Sequence, residues 1–177
     1  MRRWRVHAQN RFEAWPYHAA VPDRKPPRLA ADERRTVQAL WQYHRESLVR
    51  KVQGIDDDLA RRRLVPSETS LLWLVKHASG AEMRWVLWSF AGEVDGVRDD
   101  SVRPDDTLEA VIAEYETTWA RVDGVVSAAS LDDQCRALSG DDVVNLRWIV
   151  FHLLEETARH AGHADIIREL LDGQTGR

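Results

Sequence analysis

The segment His152 to Ala164, HLLEETARHAGHA, holds three histidines and two glutamates in thirteen residues. On a helix turning by about 100° per residue, His152, Glu156, His160 and His163 fall within a sector about 80° wide. The same sector continues through Ile149, Leu153 and Ile167, which are core-type residues, while Glu155 and Arg159 project away from it. Carboxylates and imidazoles on a buried seam are costly unless they are paired or coordinate a metal. Glu156 and His160 stand one turn apart, so both reach one ion from the same face. A third donor must come from another helix. His77 is the best placed, within a second apolar stripe between Leu74 and Ala81. Two histidines and one carboxylate leave at least one coordination position open, which is the arrangement of a catalytic rather than a structural metal.

Plainer readings exist for each residue. An inward histidine such as His44 or His77 is often a hydrogen-bonded core residue, and a carboxylate and histidine one turn apart also make a surface ion pair. His163 is open to three roles: ligand, outer hydrogen-bond partner or proton carrier. His152, one turn before Glu156, is a candidate to orient it.

These residues need long helices to bring them together, and the pattern supplies four. The first runs from about Asp32 to Val52, with Val37, Leu40, Trp41, His44, Leu48 and Val52 on one stripe, Asp32 as N-cap and Gly54 as stop. Asp56 to Arg63 makes a short helical turn before Pro66. The second helix starts near Ser67 or Thr69 and ends near Gly92, its stripe passing through Leu74, His77, Ala81, Arg84 or Trp85, and Trp88. Leu71, Val75, Ala78 and Val86 broaden that stripe and make this helix central. The third carries Leu108, Val111, Ile112, Tyr115, Trp119, Val122 and Val126. The fourth runs from Val143 or Asn145 to Asp172, stopped by Gly173, after a turn-rich connection over Ser130 to Asp142. No stretch alternates with period two, so an all-α four-helix bundle with a short extra helical turn is expected.

Composition bounds what this bundle is for. The chain has 177 residues, 44% hydrophobic and 31% charged, an ordinary globular balance for one domain. Residues 1–28 carry seven Lys or Arg against Glu13 and Asp23, a net charge of +5, so the rest of the chain carries −9 within the total of −4. This segment, with PDRKPPR at its end, is expected to be a proline-containing N-terminal extension outside a bundle domain of residues 29–177. Nucleic acid is not the expected partner despite the basic arm. The single Cys135 excludes an internal disulfide and fits a reducing cytoplasm. The longest apolar run, Leu71 to Val75, is too short to span a membrane, and no secretory signal is expected. The chain has one Glu-x-x-x-His and no second copy, which excludes the ferritin-like di-iron arrangement. It also lacks His-Glu-x-x-His, a phosphate loop, Cys-x-x-Cys and Gly-x-Ser-x-Gly.

Two segments, SETSLLWLVKHASGAEMRWVLWSFAGE (Ser67 to Glu93) and NLRWIVFHLLEETARHAGHADIIRELLDG (Asn145 to Gly173), resemble the DinB-like superfamily of metal-binding four-helix bundles. Within it they resemble an actinobacterial branch that includes mycothiol S-transferases. The resemblance covers roughly residues 30–173 and implies His77, Glu156 and His160 as ligands, with Glu156 where many relatives place a histidine. It implies a divalent ion, zinc before nickel or iron, and mycothiol as thiol co-substrate. The implied activity is a metal-dependent thiol S-transferase, in which the cation favours a thiolate that attacks an electrophile. Arg84 and Arg147 become candidates to contact polar groups of the thiol, with surface ion pairs as the alternative. His163 becomes the candidate for proton transfer. Trp73, Trp85, Trp88 and Trp148 either wall a pocket for the electrophile or fill the core. The other class of function is a non-enzymatic metal-binding bundle acting in stress response or as an interaction module, in which His163 or His44 closes the site as a fourth ligand. A small-molecule thiol and an electrophile are the expected partners, and a homodimer is left open.

Overall fold

Every helix starts where a short polar side chain takes a free amide three residues ahead. Asp32 accepts from the Arg35 amide at 2.9 Å and opens α1, Glu33–Val52. Asp56 accepts from Leu59 at 2.8 Å and opens α2, Asp57–Ala60. Ser70 accepts from Trp73 at 3.2 Å before α3, Leu71–Glu82, which continues without a break into a π-helical segment, Met83–Phe90. Thr107 accepts from Ala110 before α4, Leu108–Ala128, and Asn145 from Trp148 before α5, Leu146–Asp172. Each cap satisfies a donor that the helix cannot. Gly173 ends α5 at φ +75°, a left-handed conformation that glycine adopts without a steric cost. The computed structural model describes residues 25–93, 99–136 and 143–175. The expected character of the arm falls largely outside these residues; only Lys25 to Arg28 are described, outside any helix and mostly exposed.

The four long helices form the expected all-α bundle, with α5 packed along α1 and α3, and α3 along α4. The short turn before Pro66 is α2. Three corrections concern the second helix of the sequence pattern. It begins at Leu71 rather than at Ser67 or Thr69, because Ser70 is the residue whose side chain caps it. Its last two turns widen, with the Ala91 amide reaching back five residues to the Val86 carbonyl. The core face also differs from the expected stripe. Leu71, Leu74, Val75, Ala78, Glu82 and Val86 are buried, whereas His77, Ala81, Trp85 and Trp88 are half-buried on its margin. Among the described residues the only strand-like pairing is one antiparallel bridge, Gln134 to Asn145, which leads into α5. Among them, no helix is long and apolar enough to cross a membrane.

The core is divided into two apolar clusters, and along each long helix a polar residue marks the division. One cluster holds Leu48, Val52, Leu71, Val75, Tyr115 and Ile167, the other Trp41, Val86, Val122, Leu146 and Leu153. Between them lie Arg45 on α1, Ser79 and Glu82 on α3, Thr118 on α4 and Thr157 on α5, all buried. Arg45 donates through Nε and Nη2 to both Glu82 oxygens at 2.8 and 2.6 Å, and through Nη1 to Asp123 at 2.8 Å. The Tyr115 hydroxyl donates to Glu82 at 3.1 Å. The guanidinium also lies 3.8 Å from the centre of the Trp41 ring, whose Nε1 donates to Thr157. Burial works against the Arg45 charge, but the field and hydrogen bonds of Glu82 outweigh it and hold the guanidinium ionised.

A bidentate pair at this depth is costly to break from one side. Glu82→Ala is expected to destabilise the bundle by about 3–5 kcal/mol, because it leaves most of a buried charge uncompensated. Replacing both partners, Arg45→Met with Glu82→Leu, should recover most of that loss in urea unfolding. A double variant as weak as the single one would show that the pair itself contributes the stability.

Candidate metal centre

Three side chains singled out from the sequence meet at one edge of the bundle. α3 supplies His77, and α5 supplies Glu156 and His160 one turn apart. One donor atom from each lies within 4.8 Å of the others, close enough to share a single cation. His160 is 8% exposed, and both its ring nitrogens are buried without a hydrogen-bond partner. Its Nε2 is 3.2 Å from Glu156 Oε2, a close approach that lacks hydrogen-bond alignment. A buried imidazole left without a partner calls for a ligand, and a cation bridging to Glu156 and His77 would provide one. The donor set fits a divalent metal on chemical grounds too, since two imidazoles and a carboxylate suit zinc, nickel or ferrous iron.

The electrostatics favour the ligating form. Burial pushes the pKa of His160 down to about 4, helped by nearby His77 and opposed by Glu156, so the ring is neutral at pH 7. Glu156 is divided between two neighbours: Oε2 faces His160, while Arg159 Nη1 holds Oε1 at 2.6 Å. Arg159 was expected to project away, and its head group is indeed exposed, but its length lets it reach back along the helix. On His77 the Nδ1 nitrogen is taken by Asp100 Oδ2 at 2.7 Å. The sequence reading passed over Asp100, since a lone carboxylate between two helices carries no periodic signal.

The remaining candidates occupy distinct places. His163 is exposed, with its ring centre 5.7 Å from that of His160, and stands outside the three-donor group. His152 stacks on Trp148 at 4.8 Å and meets the edge of Trp85 at 5.1 Å, so its partners are aromatic rather than Glu156. His44 lies across α5, in a 460 Å³ groove lined also by Leu40, Phe151, His152 and Ala158. Trp73 stacks on His77 at 4.5 Å and presents an edge to His160, forming one wall of the centre. Trp85 and Trp148 pair with each other at 5.2 Å. Arg84 is exposed on the π-helical segment, and Arg147 is bound to Glu33 and to Asp132, the latter at 2.9 Å.

The depressed pKa of His160 sets a pH dependence for the metal-free protein. Its folded value, about 4, lies below the unfolded value of about 6.5, so neutral His160 contributes stability that is complete above pH 6.5. That contribution is lost as pH falls toward 4. In the presence of chelator, unfolding free energy should drop on the order of 3 kcal/mol across this window, and His160→Ala should flatten the slope. An unchanged slope in that variant would place the titration elsewhere.

The family profile described as mycothiol S-transferase matches residues 36–173. No curated protein matches the sequence. Among solved structures, that of a conserved protein from Enterococcus faecalis superposes with a TM-score of 0.58 at 14% identity, covering 82% of this chain and 100% of that one. At that identity the likeness concerns the fold, and it agrees with the bundle described above. The profile spans the bundle from the first turn of α1 to the glycine that stops α5, and the chain belongs to the mycothiol S-transferase family.

Proposed function

We propose that this protein is a divalent-metal-dependent thiol S-transferase that uses mycothiol, with His77, Glu156 and His160 as the metal ligands. The observation that carries the reading is the convergence of three donors on His160, whose buried nitrogens have no other partner. A divalent ion held there would act as a Lewis acid and lower the pKa of a thiol brought to it. Zinc is the first choice of ion, with nickel or iron as alternatives.

The chain's own residues then bind, orient and move protons. Trp73 excludes water from one side of His77 and His160. Trp85, Trp148 and His152 form an aromatic shelf next along the α3–α5 seam, suited to an apolar electrophile. His163, exposed beside His160, is placed to take the thiol proton and pass it to solvent. The sulfur forms a bond to the electrophilic carbon, and the leaving group departs with the displaced electron pair. Arg84 is the arginine assigned to polar groups of the thiol. Arg147 is assigned instead to the corner between α1 and α5, where Glu33 and Asp132 engage it. Cys135 does not supply the nucleophile, since burial pushes its pKa up and away from the thiolate form. The enzyme reading is preferred to the non-enzymatic bundle because, among the described residues, neither His163 nor His44 joins the three-donor group to close it.

Two measurements test this. Wild-type protein should bind one equivalent of divalent metal, and His160→Ala should lose it; retention of a full equivalent by that variant refutes the ligand set. Metal-loaded protein should consume mycothiol in the presence of an electrophile such as a haloaromatic, and chelated protein should not. Glu156→Gln, if loaded, should turn over about 10-fold or more slowly and with an altered pH profile, because an ion whose charge is less offset would hold the thiolate more tightly and make its sulfur a poorer nucleophile. Absence of metal-dependent thiol consumption across a panel of electrophiles would favour the non-enzymatic bundle.

A further inference from the structure

We propose that Asp100 is the positioning residue of the centre: it fixes the tautomer and orientation of His77, so that Nε2 is the nitrogen offered to the ion. The inference rests on the reading of His77, Glu156 and His160 as ligands. Asp100 Oδ2 lies 2.7 Å from His77 Nδ1, and a carboxylate there accepts the Nδ1 proton and leaves the Nε2 lone pair free. One face of the ring is packed against Trp73, with ring centres 4.5 Å apart and planes 15° from parallel, so the imidazole is held by stacking and by hydrogen bonding together. Of the three ligands, His77 is the one that needs such a hold. It comes from a different helix than Glu156 and His160 and sits half-buried on the margin of α3.

Asp100 lies outside any helix, so its usefulness depends on what holds its segment, and residues 99–107 are tied at several points. Lys76, the neighbour of His77, donates to the Ser101 carbonyl at 2.6 Å and to Asp106 Oδ2 at 2.5 Å. Asp106 Oδ2 also accepts from the Arg103 amide at 2.7 Å. Arg61, just beyond α2, donates to the carbonyl oxygens of Arg103, Pro104 and Asp106. Asp99 accepts from the amide and hydroxyl of Ser101 at 3.0 and 2.5 Å. The same turn of α3 therefore carries both the ligand and, at Lys76, an anchor for the residue that orients it. A segment pinned this way delivers a carboxylate to His77 with little freedom left to lose.

The test uses the full chain with Zn²⁺ and Co²⁺ as probes. Chelator competition gives the affinity, cobalt absorption reports the ligand geometry, and thermal unfolding in excess chelator reports the fold. Asp100→Ala should weaken Zn²⁺ binding by about 10–100-fold and alter the cobalt spectrum, with the metal-free melting temperature near wild type. Asp100→Asn, whose amide oxygen still accepts from Nδ1, should recover part of the affinity and the wild-type spectral shape. Wild-type affinity and spectrum in Asp100→Ala would overturn the inference while leaving the metal centre standing. A metal-free melting temperature that falls in both variants in step with affinity would also overturn it, assigning Asp100 to folding. Failure of wild-type protein itself to bind either ion would remove the ligand set, and this inference with it.

Discussion

The Arg45–Glu82 pair is the interaction on which the arrangement of the bundle turns. Neither side chain is accessible beyond 1%, and each is held by groups on a third helix: Tyr115 on Glu82 and Asp123 on Arg45, both from α4. Such a pair has a directional requirement that apolar packing lacks. Leucine and valine tolerate a shift of a helix by part of a turn, but a guanidinium fork with two carboxylate oxygens does not. The layer therefore sets the height of α1, α3 and α4 against one another. Thr157, reached by the Trp41 indole, brings α5 to the same level. Glu156 is the residue just before Thr157 on α5, and His77 lies little more than one turn before Glu82 on α3. The register that joins the polar layer thus also brings the candidate donors His77, Glu156 and His160 together.

The three candidate donors sit on the margin of the core rather than within it. Along the same face of α5, His160 is buried, Glu156 half-buried and His163 exposed. Each residue therefore has a different environment despite similar helical positions. Burial keeps the His160 ring neutral, while His163 stands in contact with water.

The π-helical segment contributes to the same edge. On it Trp85 lies against Trp148 and His152, and Arg84 is exposed. The buried face of the helix, through Ala78, Glu82 and Val86, sets Trp85 on its margin and turns Arg84 away from it.

The helices, their caps and the three donors were legible in the sequence for a local reason. Asp32, Asn145 and Gly173 act through backbone groups a few residues away, and Glu156 and His160 lie one turn apart on a helix whose period the chain itself displays. The family resemblance rested on the same residues. What required tertiary structure was every partnership across the chain. Arg45 and Glu82 are 37 residues apart, and nothing in either neighbourhood marks the pair. Asp100 reaches His77 from a segment with no periodicity, anchored by contacts spanning up to 45 residues. Helical spacing specifies which face a side chain occupies. How deeply that face is buried, and which distant group meets it, is decided by the packing of the other helices.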